Sequence, residues 1–139
     1  MLNKNILIVT ERRADFSRFK PILDLIKKDT KLKYSLIVTG IHLIKKYGYT
    51  INEIKKSNHI ICKKFKMYED TSIKNDDGAN MVGALGKAII ELSKIVKNIK
   101  PDMILSGFDI AANFGVTIVG AHMNIPVAHI QGGETTGSI

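Results

Sequence analysis

The sequence predicts an α/β fold in which a parallel sheet is covered by helices on both faces. Short runs rich in β-branched residues alternate with longer segments whose apolar residues recur every three or four positions. Hydrophobic residues make up 45% of the 139 residues, which is enough for the core of one domain. Because strand–helix alternation requires crossover connections, neighbouring strands are expected to run parallel.

Five segments are predicted strands, each short, apolar and bounded by polar residues, glycine or proline. They cover residues 6–10, 34–38, 59–65, 103–105 and 126–130. In sheets of this kind, ligands bind beyond the carboxyl ends of the strands. The polar residues that follow the first, second, fourth and fifth strands are therefore the candidate site, and we expect them to meet on one pocket rim.

The clearest predicted helix covers residues 79–98. Asp76 or Asp77 caps its start, and Pro101 follows its end. Its apolar face is predicted to contain Met81, Leu85, Ala88, Leu92, Ile95 and Ile99.

The other helices are shorter or have less certain bounds. A helix follows the first strand, but Pro21 leaves its start open, since proline suits a first turn and kinks a longer helix. Helical segments are also predicted at residues 42–47, 51–56 and 110–123, with a polar loop at 67–78.

Composition narrows the functional classes. No apolar run reaches the ~20 residues of a membrane span, and no secretory signal is recognisable, so a cytoplasmic location is expected. The single cysteine, Cys62, is expected in the core. The net charge of +8 fits either an anionic partner such as nucleic acid or lysine-rich solvated faces. Scattered lysine pairs and 6% aromatic residues favour the second interpretation.

The loop after the first strand is rich in arginine. Arg12, Arg13 and Arg18 lie near a helix N-terminus with Ser17, although neither common glycine-rich phosphate motif is present. Guanidinium groups and helix N-termini both bind phosphate oxygens. The alternative is that these are surface arginines paired with Glu11 and Asp15.

Three further polar positions follow strands. His42 comes after the second strand and is either a ligand donor or a buried structural histidine. Asp109 follows the fourth strand and is an N-cap, an active-site carboxylate, or both. His129 and Glu134 flank Gly132 and Gly133 after the fifth strand, where glycine permits close approach to a ligand. Neither zinc-ligand spacing nor a Ser-His-Asp triad is indicated.

Taken in order, these segments resemble the hydrolysing UDP-N-acetylglucosamine 2-epimerase family. The matching motifs are RADFSR at 13–18, TGIHL at 39–43, PDMIL at 101–105, MNIPVAHIQGGE at 123–134 and GSI at 137–139. The resemblance covers nearly the whole chain, so residues 1–139 are interpreted as one incomplete Rossmann-like domain. It corresponds to the N-terminal half of a glycosyltransferase-B type fold, without the family's second domain.

The resemblance implies a reaction on a nucleotide sugar. UDP is eliminated from UDP-N-acetylglucosamine to leave a glycal, and water then adds to give N-acetylmannosamine or a related 2-acetamido sugar for sialic-acid-like sugars. The substrate carries either UDP or GDP. The resemblance implies no metal or other cofactor, no nucleic acid or membrane partner, and a homo-oligomer in the full-length protein.

Site residues carry over by position. The resemblance implies substrate contacts from Arg13, Ser17, Arg18 and His42, and catalytic roles for Asp109, His129, Gln131 and Glu134.

The chain departs from the family pattern at three points. Ile110 replaces the arginine of a common Gly-Asp-Arg motif, and Gln131 stands where a glutamate is frequent. An amide cannot exchange a proton near neutral pH, so acid–base work must fall elsewhere, for example on Asp109. The chain also stops at Ile139, before the family's usual aspartate and second domain, and we expect these residues alone to be inactive. Apart from an epimerase fragment, the sequence is compatible with a non-catalytic nucleotide-sugar-binding module or a basic nucleic-acid-binding domain.

Overall fold

The computed structural model describes residues 3–69, 77–133 and 137. This part of the chain contains five strands, β1 (Lys4–Thr10), β2 (Leu32–Val38), β3 (Ile61–Lys64), β4 (Met103–Gly107) and β5 (Val127–Ile130). Four α-helices connect them, α1 (Arg13–Lys28), α2 (Ile51–Lys56), α3 (Gly78–Ile99) and α4 (Ala111–His122). Two 3-10 turns, Gly40–Leu43 and Lys45–Tyr47, lie between β2 and α2.

All strand pairs are parallel, in the order β3-β2-β1-β4-β5. The chain therefore moves outward from β1 to β3, crosses the sheet, and moves outward again from β4 to β5. The predicted parallel sheet is confirmed. The crossing places a topological switch point between β1 and β4, where the polar loops on the two sides diverge and leave a crevice.

Each face of the sheet has its own apolar core. On one face, Phe19 and Leu23 of α1 and Ile54 of α2 are completely buried against the sheet. On the other face, Leu92 of α3 and Val116 of α4 are equally buried. The predicted helices on both faces are thus confirmed, and the two cores hold the carboxyl ends of the strands in fixed relative positions.

The uncertain start of α1 is resolved at Arg13, so Pro21 lies inside the helix. Proline has no N–H and cannot donate to the carbonyl of Ser17, four residues earlier. The helix nevertheless continues to Lys28 because Phe16, Phe19, Leu23 and Ile26 form its buried face. Tertiary packing therefore outweighs the local cost of the proline.

The predicted apolar face of α3 is partly wrong. Its buried residues are Ala84, Ala88, Leu92 and Val96, at steps of four, whereas Met81 is 56% exposed. Alanine allows α3 to lie close to α4 and the sheet, so packing favours the face with smaller side chains at its N-terminal end. The predicted cap is confirmed for Asp77, which accepts the Ala79 N–H at 2.9 Å; Asp76 lies outside the described residues.

Cys62 is exposed, contrary to the core position predicted for it. β3 is an edge strand of four residues, and only Ile61 among them is partly buried. Hydrophobicity of the local sequence did not reveal that this strand has a neighbour on one side only. Within the described chain, no helix combines the length and apolarity needed to cross a membrane.

Substitution by alanine should change the free energy of unfolding in opposite directions at two helical glycines. A Cβ on Gly120 of α4 would lie 2.6 Å from Val127 Cγ2 and 2.9 Å from Ile104 Cδ1. We expect Gly120→Ala to lower the free energy of unfolding by about 1–3 kcal/mol through overpacking. Gly83→Ala in α3, where the described structure leaves open space, should raise it by about 0.5–1 kcal/mol. Urea denaturation measures both, and equal effects would contradict the packing described here.

Candidate functional site

The candidate site lies at the carboxyl edge of the sheet, defined here by the strand ends Thr10, Val38, Gly107 and Ile130. The loops after β1 and β4 meet there at the switch point. This edge has two layers, a buried layer of hydrogen-bonded polar groups and an exposed layer of charged and polar side chains.

Asp15 organises the buried layer. Its carboxylate accepts the backbone N–H groups of Glu11 (2.9 Å), Arg12 (3.0 Å) and Phe16 (2.7 Å), and the hydroxyl of Thr10 (2.8 Å). Burial raises the pKa of Asp15, and these four hydrogen bonds oppose that rise. The carboxylate therefore fixes the turn from β1 into α1 and satisfies free N–H groups at the helix start.

His42 continues the buried network. Its Nε2 lies 3.0 Å from Thr10 Oγ1, and its Nδ1 lies 2.7 Å from Thr50 Oγ1. Since Thr10 donates its proton to Asp15, it accepts from Nε2–H, and Thr50 donates to Nδ1. Burial lowers the pKa of His42 to about 4, opposed by a backbone hydrogen bond with Arg12, so the ring is neutral at pH 7.

The position of His42 bears on its expected contact with substrate. Its side chain is buried, whereas a residue that touches a ligand needs an open face. Its backbone N–H donates to Glu11 O at 3.1 Å, and Gly40 permits this approach through a φ of +61°. A side chain on Gly40 would overlap Glu11. The structure thus gives His42 a place behind the site, where it joins the loops after β1 and β2.

Glu11 is a buried carboxylate whose position the sequence did not reveal. Oε1 accepts the Tyr68 hydroxyl at 2.8 Å, and Oε2 accepts the Ala112 N–H at the start of α4 at 2.9 Å. Burial, followed by the nearby Glu11 charge, raises the pKa of Tyr68. Glu11 thereby fulfils the capping role considered for Asp109, whose side chain is 99% exposed. An acidic residue directly after a buried strand was the available signal.

Asn113 is a second position that the sequence did not single out. Its side-chain amide donates to Val9 O on β1 at 3.3 Å and accepts the Gly107 N–H at the end of β4 at 3.1 Å. This buried side chain therefore bridges the two strands at the switch point and holds α4 above them.

The arginines of the first loop have different environments. Arg12 faces Asp109 with an Nη2–Oδ1 distance of 3.8 Å, and Arg13 faces Glu53 of α2 at 3.7 Å. The alternative in which Glu11 and Asp15 pair with arginines at the surface is wrong, because both carboxylates are buried.

Ser17 lies one turn into α1 at an exposed position. Its hydroxyl donates to the carbonyl of Ala14 at 2.8 Å, a hydrogen bond within the helix. Solvent can therefore reach the hydroxyl, although the hydroxyl already donates its proton to a carbonyl within the helix.

Arg18 joins α1 to the ends of β4 and β5. Its Nη1 donates to Gln131 Oε1 at 2.9 Å, and its Cζ lies 5.1 Å from the centre of the Phe108 ring. Phe108 and Gln131 have φ values of 68° and 57°, in the left-handed region that most residues avoid. We call Arg18, Phe108 and Gln131 the Arg18 clamp.

His129 is exposed at the end of β5, and its ring is held from two sides. Nδ1 lies 3.4 Å from Ser106 Oγ, which also accepts from Thr117 Oγ1 at 2.9 Å. Gly132 leaves room for the ring, since a Cβ at that position would overlap it. The imidazole thus contacts Ser106 through Nδ1 and lies close to Gly132 along its Cδ2–Nε2 edge.

Asp109 and His129 line one groove of about 470 Å³ between α3, α4 and the carboxyl edge. The rest of its lining is mainly apolar and includes Met81, Val82, Leu85, Phe108, Ile110 and Phe114. Arg13 and His42 do not line this groove, so the four residues expected on one pocket rim are not brought together there. His42 lies in the buried layer, and Arg13 is exposed beside Glu53. Glu134 lies outside the described residues.

The groove offers a carboxylate and an imidazole, and Phe108 of its lining also contacts the Arg18 guanidinium. A guanidinium binds anions, whereas carboxylates and imidazoles act as general acids and bases. In the part of the chain that the structure describes, no group of three His, Cys, Asp or Glu residues is placed to bind a metal ion.

Glu11 and Asp109 form a matched pair for mutagenesis. In Glu11→Gln, the new amide NH₂ would oppose one of the two donors now bound, so we expect a loss of about 1–3 kcal/mol in the free energy of unfolding. Asp109→Asn alters an exposed carboxylate at the same helix start and should leave stability unchanged. Chemical denaturation at pH 7 compares them, and a stable Glu11→Gln protein would contradict the capping role.

The lowered pKa of His42 predicts a pH-dependent contribution to stability. The unfolded chain takes up the proton near the ordinary pKa of 6.5, and the folded chain only near pH 4, so acid favours unfolding between these values. Wild type should lose about 3 kcal/mol relative to His42→Gln from pH 7 to 4. The raised pKa of Asp15 acts in the opposite direction in both proteins. Parallel stability curves for the two proteins would refute a neutral, buried His42.

Comparison with known proteins gives a consistent result. The sequence model of the UDP-N-acetylglucosamine 2-epimerase family matches residues 24–139. A UDP-N-acetylglucosamine 2-epimerase of Neisseria meningitidis serogroup B is 35% identical over 98% of this chain and 34% of its own length. The hydrolysing UDP-N,N'-diacetylbacillosamine 2-epimerase of Legionella pneumophila is 30% identical over 98% of this chain and 35% of its own length.

Structural comparison supports the predicted fold. The crystal structure of the N. meningitidis UDP-GlcNAc 2-epimerase bound to UDP-GlcNAc superposes with a TM-score of 0.78 at 17% identity, over 95% of this chain and 33% of the other. The Rossmann-like half of a glycosyltransferase-B type fold is thereby confirmed. The chain spans about a third of the length of its curated relatives. On the evidence of the family match and the shared fold, this chain belongs to the UDP-N-acetylglucosamine 2-epimerase family.

Proposed function

We propose that this chain forms the sugar-facing wall of a hydrolysing nucleotide-sugar 2-epimerase. The proposed substrate is UDP-N-acetylglucosamine or a related UDP- or GDP-linked 2-acetamido sugar, and the product is the 2-epimeric free sugar used for sialic-acid-like sugars. The observation that carries the proposal is that Asp109 and His129 line one groove at the carboxyl edge, and that Phe108 of the same groove contacts Arg18.

The proposed reaction requires proton transfer at the second carbon of the sugar. A base removes that proton, the bond from C1 to oxygen breaks, and its electron pair leaves with UDP, so that a C1–C2 double bond forms. Addition of water then places a hydroxyl on C1 and a proton on the opposite face of C2. The reaction therefore needs a base, an acid and a cation that stabilises the departing diphosphate.

The groove side chains match these needs by chemistry. The Asp109 carboxylate is exposed on the groove, and the imidazole of His129 lines the same groove from the neighbouring strand. We assign proton transfer to these two residues, together with Glu134, and phosphate contacts to Arg13 and Arg18. Ser17 is assigned a substrate contact through its exposed hydroxyl, and His42 supports the loop from behind.

A non-catalytic nucleotide-sugar-binding module is the second candidate. Gln131 favours it, because an amide replaces the frequent acid of the family at a position that here binds Arg18. Ile110 favours it as well, since it contributes an apolar surface to the groove in place of a guanidinium. Under this alternative, the same groove and clamp hold the nucleotide sugar without proton transfer.

Binding and turnover of the purified chain test the proposal. We expect UDP-N-acetylglucosamine to shift NMR signals of Gly107, Asp109 and His129, and Asp109→Asn to weaken binding at least about threefold through loss of a charged hydrogen-bond partner. Glu91→Gln, an exposed carboxylate of α3 that is paired with Lys94, is the control and should bind like wild type.

A coupled assay for UDP release completes the test. We expect no turnover from these 139 residues, because one wall of a cleft does not exclude water or orient the substrate. Release of UDP above the blank by the chain would overturn that expectation. A ligand response that leaves the carboxyl edge unshifted would overturn the assignment of the site.

A further inference from the structure

Among the described residues, the arginine of the Arg18 clamp has no acidic partner. Arg12 and Arg13 face Asp109 and Glu53 across 3.8 and 3.7 Å. The one side-chain hydrogen bond of Arg18 goes to a neutral amide, and in residues 3–69 and 77–133 no carboxylate lies within ion-pair distance of it. Its positive charge is therefore available to an external anion.

The clamp also fixes where that charge points. The Cζ of Arg18 lies over the Phe108 ring, and Phe19 of the core contacts that ring edge-on with ring centres 5.1 Å apart. Gln131 holds one edge of the guanidinium through Nη1. A guanidinium has five N–H donors, so most of them remain for the oxygens of a phosphate or carboxylate.

Backbone geometry indicates that the clamp is constrained. Phe108 and Gln131 each directly follow a strand, and both have a positive φ that costs a non-glycine residue free energy. The Phe108 N–H donates to Ile130 O at 3.4 Å, which joins the two strand ends. The ring and the amide of these two residues contact the same guanidinium.

We propose that Gln131 is a positioning residue, which holds Arg18 for a phosphate group of the substrate and takes no part in proton transfer. This inference rests on the proposed nucleotide-sugar function and differs from the catalytic role that the resemblance implied for Gln131. A glutamate at this position would form an ion pair with Arg18 and offset its charge. Glutamine fixes the guanidinium and leaves the charge for the ligand.

A double-mutant cycle distinguishes positioning from direct contact. Dissociation constants for UDP and for inorganic pyrophosphate are measured by calorimetry for wild type, Arg18→Met, Gln131→Met and the double variant. We expect Arg18→Met to weaken binding at least about tenfold, and Gln131→Met about threefold. The double variant should be no weaker than Arg18→Met, because Gln131 acts through Arg18. Multiplicative effects would overturn the proposal.

The Gln131→Glu variant tests whether Gln131 acts through the charge of Arg18. A purely structural role of Gln131 would not alter the salt dependence of pyrophosphate binding. We expect it to weaken pyrophosphate binding by about as much as Arg18→Met, and to reduce the dependence of binding on salt. Lys97→Met removes one exposed charge from the far end of α3 and should bind like wild type. Gln131→Glu binding as tightly as wild type would overturn the proposal, since an ion pair would then have no effect on Arg18.

The two ligands separate this inference from the proposed function. If pyrophosphate binds through Arg18 while UDP-N-acetylglucosamine binds no more tightly, the clamp is supported and the nucleotide-sugar function is contradicted. If UDP-N-acetylglucosamine binds but Arg18→Met has no effect on either ligand, the function is supported and the clamp is overturned. Thermal denaturation of each variant verifies that it is folded.

Discussion

The site depends on the burial of two carboxylates where β1 leads into α1, those of Glu11 and Asp15. Removing a carboxylate from water is costly unless hydrogen-bond donors replace the lost solvent. Asp15 is surrounded by three backbone N–H groups and the Thr10 hydroxyl, and Glu11 by the Tyr68 hydroxyl and the first turn of α4. These contacts join β1, α1, α4 and Tyr68, and the exposed groups of the site lie above this buried layer.

A consequence is that the positive end of α4 is already occupied. The N–H groups at a helix start attract anions, and Glu11 supplies one from within the chain. An anionic ligand at this edge must therefore find its positive charge elsewhere. The guanidinium of Arg18 meets this need, because it is held by an aromatic ring and a neutral amide and keeps its full charge.

The sequence predicted the fold well because the spacing of apolar residues along the chain reflects which side chains of each strand and helix are buried. Alternating short and long apolar segments predicted all five strands and the parallel sheet, and differences in bounds are a few residues at most. The same reasoning failed where the burial of a residue depends on which strands and helices pack beside its own element. Met81 and Cys62 have apolar local contexts, yet one faces the groove and the other lies on an edge strand.

The sequence by itself determined which polar residues follow the strands, and therefore which residues reach the carboxyl edge. Only the tertiary structure decided which of them face water. Thr10, Asp15 and His42 are buried, while Asp109, His129 and Gln131 are exposed. The physical reason is that strand order brings α4 and the loop after β2 over the end of β1. The buried polar groups there find hydrogen-bond partners up to 104 residues distant in the sequence.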